Sequence, residues 1–198
     1  MDVPLLALVG FAFAASVTPG PNNALVTANA AANGWLATWP HMLGIGAGFS
    51  LMIVLVGLGL AGVLAAHPVL AAAMRWGSMA WLLWLAWKIA SAPVGEDAAA
   101  PALRFGFVRA VLFQWVNPKA WLMALTVAGT FIRPDAPVPP QLAVIGVVFF
   151  LVTPPSCIPW ALLGHGAARM LSGERMRAFN IAMALLLVAS MLPMALEG

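Results

Sequence analysis

Two short segments place polar groups deep inside apolar stretches of this 198-residue chain. Thr18-Pro19-Gly20-Pro21-Asn22-Asn23 lies in the first such stretch, and Gln114-x-x-Asn117-Pro118-Lys119 in a later one. Proline removes a backbone donor and clashes with the preceding turn, while glycine tolerates conformations closed to other residues. Two prolines flanking a glycine should unwind a helix, and the freed carbonyls must face protein or a water-filled cavity rather than lipid. Asn22 and Asn23 add amide donors and acceptors at the same depth. The competing reading is a kink packed by neighbouring helices. Lys119 costs on the order of 2.5–3.5 kcal/mol to place in a membrane, which marks it as functional, with snorkelling to the headgroups as the alternative. No carboxylate falls in any expected span, so an anionic substrate group is an attractive partner for that ammonium.

Composition says what must position these residues. The chain is 63% hydrophobic and 8% charged, against about 45–50% and 25% in soluble domains. So few charges cannot cover a soluble globule, and a polytopic all-α membrane protein follows. A soluble enzyme, a nucleic-acid binder and a disulfide scaffold are excluded. The excess of nine basic over six acidic residues is read as membrane orientation, with the lipid bilayer as the partner and no nucleic acid. A lone Cys157 permits no intrachain disulfide. His41, His67 and His165 stand far apart, so a metal site has little support and no cofactor is implied. No HExxH, GxSxG or P-loop motif appears, which argues against an enzyme and against ATP drive.

A crossing needs about 20 apolar residues. The uncharged run from Val3 to Met74 holds two, divided around Asn29 to Gly34 and the Trp39-Pro40-His41 turn, with the second closing at His67-Pro68. A third span is expected from Val69 to Ala92, with Arg75 inside one end, snorkelling or paired. Residues 93–101 form a polar linker between halves of about 1–95 and 102–198 of a single transporter domain. A fourth span ends near Ile132, a fifth covers Gln141 to Ala168 and a sixth Ala178 to Leu196. The first segment is read as mature protein rather than signal peptide, because Met1-Asp2 lacks a basic leader; it spans or re-enters. Thr153-Pro154-Pro155-Ser156-Cys157-Ile158-Pro159 should break the fifth span, as a gating hinge or a static kink. The glycines Gly44, Gly46 and Gly48 suit close helix packing. Trp76, Trp81, Trp84 and Trp87 suit an interface better than a ligand cage.

Six spans put Lys88, Arg104, Arg109, Arg169, Arg175 and Arg177 on one side, against Arg75 and Arg133 on the other. The first set is expected in the cytoplasm, with both termini outside. Pro19 and Pro118 stand 99 residues apart, half the chain length. Three helices repeated once must invert, which gives the 3+3 inverted-repeat plan of secondary transporters with broken helices 1 and 4 around the substrate.

At Thr18-Pro19-Gly20-Pro21-Asn22, the glycine-rich second helix and Gln114-x-x-Asn117-Pro118-Lys119, the chain resembles the LysE/RhtB family of amino-acid exporters. That resemblance implies a multi-pass protein of the bacterial inner membrane that exports a small amino acid on an ion gradient, with a proton as the expected coupling ion. It carries Pro19, Gly20, Pro21, Asn22, Asn117, Pro118 and Lys119 over as matching positions; Thr18, Asn23 and Gln114 join them as candidate substrate-binding residues. Family exporters of basic amino acids tend to carry an acid after the glycine run. Here that segment reads Gly46-Ala47-Gly48-Phe49-Ser50, which implies a neutral or hydrophobic substrate or a derivative. An inorganic-ion exporter of the same superfamily and a non-transporting scaffold are the alternatives, and a homo-oligomer is allowed.

Overall fold

The structure is a computed structural model that describes residues 4–94 and 104–192. Among these, every regular element is helical. The elements are α1 (Leu5–Val17), α2 (Pro21–Asn33), α3 (Trp39–Leu55), α4 (Ala61–Ala66), α5 (Pro68–Ala90), α6 (Phe107–Phe113), α7 (Pro118–Phe131), α8 (Val138–Ser156), α9 (Ile158–Met170) and α10 (Gly173–Ala189). Prolines mark several starts: Pro21, Pro68 and Pro118 each open a helix, where the missing N–H is no loss. Gly34 ends α2 at φ 86°, a conformation that favours glycine.

Three stretches are long and apolar enough to cross a membrane: Leu36–Ala66, Pro68–Ala90 and Val138–Met170. The pair α1 and α2 passes the same test together, bent by 57° at the break, as a broken span or a re-entrant loop. The three stretches agree with the expected second, third and fifth spans, and the bent pair occupies the place of the first segment. The expected fourth is divided by Pro118 into the short helical stretch Phe107–Val116 and α7. The expected sixth begins earlier, at Gly173, and its end near Leu196 lies outside the described residues, as does most of the 93–101 linker. Between α3 and α4 the helix widens into a π turn, Val56–Leu60, made possible by Gly59 at φ 110°.

One expectation is corrected. Pro154 and Pro155 do not break the fifth span; they lie inside α8, which runs on through Cys157 into α9 as one stretch. Pro154 leaves the Phe150 carbonyl without its helical donor, and there α3 comes close: a Cβ on Gly46 would sit 3.2 Å from that oxygen. Tight packing of a neighbouring backbone tolerates the proline where an isolated helix would kink.

Small residues set the helix spacing, as the glycine run suggests. A Cβ on Gly44 would run into the Phe107 carbonyl, and one on Gly48 would lie 2.7 Å from Val111 Cα, so α3 and α6 touch backbone to backbone. Gly164 does the same for α9 against α2, where a Cβ would run into the Thr27 carbonyl. The central α3 packs on α6 and α8, while α1 lies on α8 and α5 on α10. Phe49 and Phe149 meet edge to face at 5.2 Å in the core. Outside, the pattern of a soluble protein is reversed: Leu6, Val69, Trp76 and Trp87 are exposed by 60% or more, as lipid-facing side chains should be. Arg133 and Asp135 pair at 2.9 Å in the exposed turn before α8, and the hydrogen bond from Arg133 holds the Asp135 carboxyl below its ordinary value.

Candidate functional site

The break between α1 and α2 is built from carbonyls that lose their helical donors. In an uninterrupted helix the Val17 oxygen would accept from residue 21, which is proline and has no N–H. Ser16 and Thr18 lose theirs because Gly20 is extended, at φ 171° and ψ −177°. Side chains from three other parts of the fold replace what is missing. Asn23 Nδ2 donates to the Ser16 and Thr18 carbonyls, both at 2.8 Å. Trp160 Nε1 donates to the Val17 carbonyl at 2.9 Å. Lys119 Nζ donates to the Thr18 carbonyl at 2.8 Å and to the Pro19 carbonyl at 3.3 Å.

Lys119 reaches this position from the second break. The stretch Gln114–Val116 tightens to a 3₁₀ turn, Asn117 leaves the helix at ψ 108°, and its side chain caps α7 by accepting from the Lys119 N–H at 3.1 Å. The two breaks are also joined by a reciprocal amide pair. Asn22 Nδ2 donates to Gln114 Oε1 at 2.9 Å, and Gln114 Nε2 returns a bond to Asn22 Oδ1 at 3.2 Å. Gln114 is fully buried and bonds the Ala110 carbonyl as well.

The structure therefore brings all ten candidate residues together, with roles the sequence did not distinguish. Asn23 is occupied holding the break, and the thiol of Cys157 approaches its Oδ1 at 3.8 Å. Thr18 Oγ1 bonds back to the Ala14 carbonyl within its own helix. Pro21 and Pro118 start α2 and α7. Gly20 differs from expectation in its reason: an extended φ is open to any residue. What glycine leaves here is room for the lysine, since a Cβ would sit 2.8 Å from Lys119 Cδ and 3.3 Å from its Nζ and would push the end of that side chain off its seat.

A cavity of about 40 Å³ lies beside this ammonium, walled by Ser16, Asn22, Phe49, Met123 and Thr153 among others. That is far below the range of about 300–1,000 Å³ typical of small-molecule sites. Ser16 and Thr153, both in its wall, share a hydroxyl hydrogen bond at 3.1 Å. Trp160 is the residue the sequence reading passed over; its indole reaches the break from α9, and nothing local to Trp160 signals that. Among the described residues no group of His, Cys, Asp or Glu could hold a metal.

Packed apolar helices interrupted at one polar centre define a multi-pass membrane transporter, and comparison with known proteins agrees. The LysE type translocator family matches residues 13–196, and the chain belongs to that family. Its curated relatives include the cysteine/O-acetylserine efflux protein of Escherichia coli (strain K12), 32% identical over 174 residues, or 87% of this chain and 88% of that protein. The protein of the same name in Salmonella typhimurium (strain LT2) is 34% identical over the same shares of both chains. No solved structure matches the chain at a significant level. The chain is thus a translocator rather than an enzyme.

Proposed function

We propose that the chain exports a small neutral amino acid or close derivative, of the kind its cysteine/O-acetylserine efflux relatives are named for, across the bacterial inner membrane. The observation that carries this reading is the Lys119 ammonium seated on the Thr18 and Pro19 carbonyls. A substrate's α-ammonium is the same chemical group, a compact cation with three donors. In this closed state the protein's own lysine fills the seat, and the cavity beside it is too small for cargo. Binding is then an exchange. The substrate's ammonium takes the two carbonyls, and Lys119 leaves them to meet the substrate's carboxylate.

Charge selects the cargo in this reading. Among the described residues the carboxylates are Asp135, held by Arg133 in the turn before α8, and Glu174 in the first turn of α10, and no hydrogen bond or ion pair joins either to Lys119. A zwitterion adds no net charge, whereas a basic amino acid brings a second cation. Two such charges about 4 Å apart repel by about 4 kcal/mol at an effective dielectric constant near 20, or about a thousandfold in affinity.

The wider architecture in this proposal is six spans in a 3+3 inverted repeat, with the Arg169–Arg177 loop in the cytoplasm and a proton as the coupling ion. The packing supports the repeat: exchanging the halves turns the α3–α6 contact into α8–α1, and maps α3–α8 and α5–α10 onto themselves. Counterflow of labelled O-acetyl-L-serine and L-cysteine in proteoliposomes tests the function. Saturable uptake against either trapped compound is expected. Uptake of neither, by protein that remains folded, would overturn the reading.

A further inference from the structure

Lys119 borders a second cavity, of about 630 Å³. That volume is within the range of about 300–1,000 Å³ typical of small-molecule sites, and the first cavity is far below it. Both breaks contribute to its wall through Pro19, Pro118 and Lys119. Across from them stand Arg75 and Ser78 of α5 and Ser190 at the end of α10, and the remaining surface is mostly apolar.

Arg75 is the unexplained residue here. It is half-buried, and its guanidinium carbon lies 5.1 Å from the Trp76 ring. No acidic partner faces it among the described residues: Asp135 is held by Arg133, and Glu174 begins α10. Glu174 lies about 24 Å down that helix from Ser190 at about 1.5 Å per residue. A guanidinium inside a membrane segment without a counter-ion calls for an anionic visitor, and its planar fork matches a carboxylate.

We infer that the larger cavity is a second binding site for the transported amino acid, in which Arg75 holds the α-carboxylate after the substrate has passed Lys119. This rests on the export reading. The cavity touches Leu64, Arg75 and Ser190, which the proposed orientation places toward the outer face, so it is the last station before release. Its apolar wall receives the side chain, and the two cations at its ends, Lys119 and Arg75, draw the carboxylate from one to the other.

Thiol protection tests the site. Ser78→Cys places a reporter in the cavity wall, and wild-type protein, whose Cys157 is buried, sets the background. O-acetyl-L-serine should slow N-ethylmaleimide labelling of that thiol saturably, and its methyl ester, which lacks the carboxylate, should not. Arg75→Gln should raise the protecting concentration at least tenfold without altering the unprotected labelling rate, and Arg75→Lys should fall between. In counterflow, Arg75→Gln should raise KM with kcat less affected. Counterflow by wild type together with protection indifferent to Arg75→Gln, or with protection by phosphatidylglycerol vesicles alone, would overturn the second site and leave the export reading standing. Absence of wild-type counterflow would overturn both.

Discussion

Lys119 Nζ and the Thr18 carbonyl oxygen lie 2.8 Å apart although 101 residues separate them in the chain. That bond ties the two broken helices together by a group that can also leave. A fixed amide pair, Asn22 with Gln114, does the same job beside it without carrying charge. The division of labour suits the proposed exchange, in which the site keeps its shape while one cation replaces another.

Lys119→Ala should insert and fold, since it removes a charge that is costly within the membrane, and should lower O-acetyl-L-serine counterflow at least tenfold. Lys119→Arg should recover little, because a planar fork cannot replace a compact ammonium on two carbonyls. Near-normal transport by both variants would show that Lys119 only snorkels.

Gly20→Ala is a sharper probe because it alters no polar group. Its backbone is extended and accepts alanine, but the new methyl would meet Lys119 Cδ at 2.8 Å. The variant should express normally and transport poorly, with a KM raised several-fold. In the Lys119→Ala background the same change should be nearly silent, and a double-mutant cycle with additive effects would contradict the steric coupling.

Basic amino acids should be excluded. Cells expressing the protein should gain no resistance to canavanine, while tolerance of excess cysteine should rise. Clear canavanine efflux would mean that the charge at Lys119 is balanced by a group placed elsewhere.

Several of these features were legible in the sequence for local reasons. Proline's missing donor is a property of the residue, so Pro19, Pro21 and Pro118 each mark a carbonyl one turn earlier that lacks its ordinary helical donor. Tertiary registration is not local. Nothing in Asn22 indicates that Gln114, rather than Asn117, would be its partner, and nothing in Trp160 points to the Val17 carbonyl. Pro154 and Pro155 misled because whether a proline bends a helix depends on what packs against it, here the backbone at Gly46. For Gly20 the sequence suggested unusual torsion, whereas its backbone is extended and what lies against it is the end of the Lys119 side chain, again a tertiary neighbour.

Orientation can be tested with single cysteines read against wild type. A cysteine at Ala136, in the turn after α7, should react with an impermeant maleimide in intact spheroplasts, and one at Ser172, before α10, should react only after lysis. The opposite pattern would reverse the topology and turn the larger cavity toward the cytoplasm.

The exchange at Lys119 can be observed directly, because the chain contains two lysines, Lys88 and Lys119. With ¹³Cε-lysine labelling and Lys88→Arg for assignment, titration with O-acetyl-L-serine should move the Lys119 resonance saturably, with a midpoint matching the counterflow KM. The Lys88 resonance should stay in place. N-acetyl-L-serine, which lacks the ammonium, should not displace Lys119 from the carbonyls. A protein that transports O-acetyl-L-serine while its Lys119 resonance does not move would contradict the exchange of ammonium groups at Thr18 and Pro19.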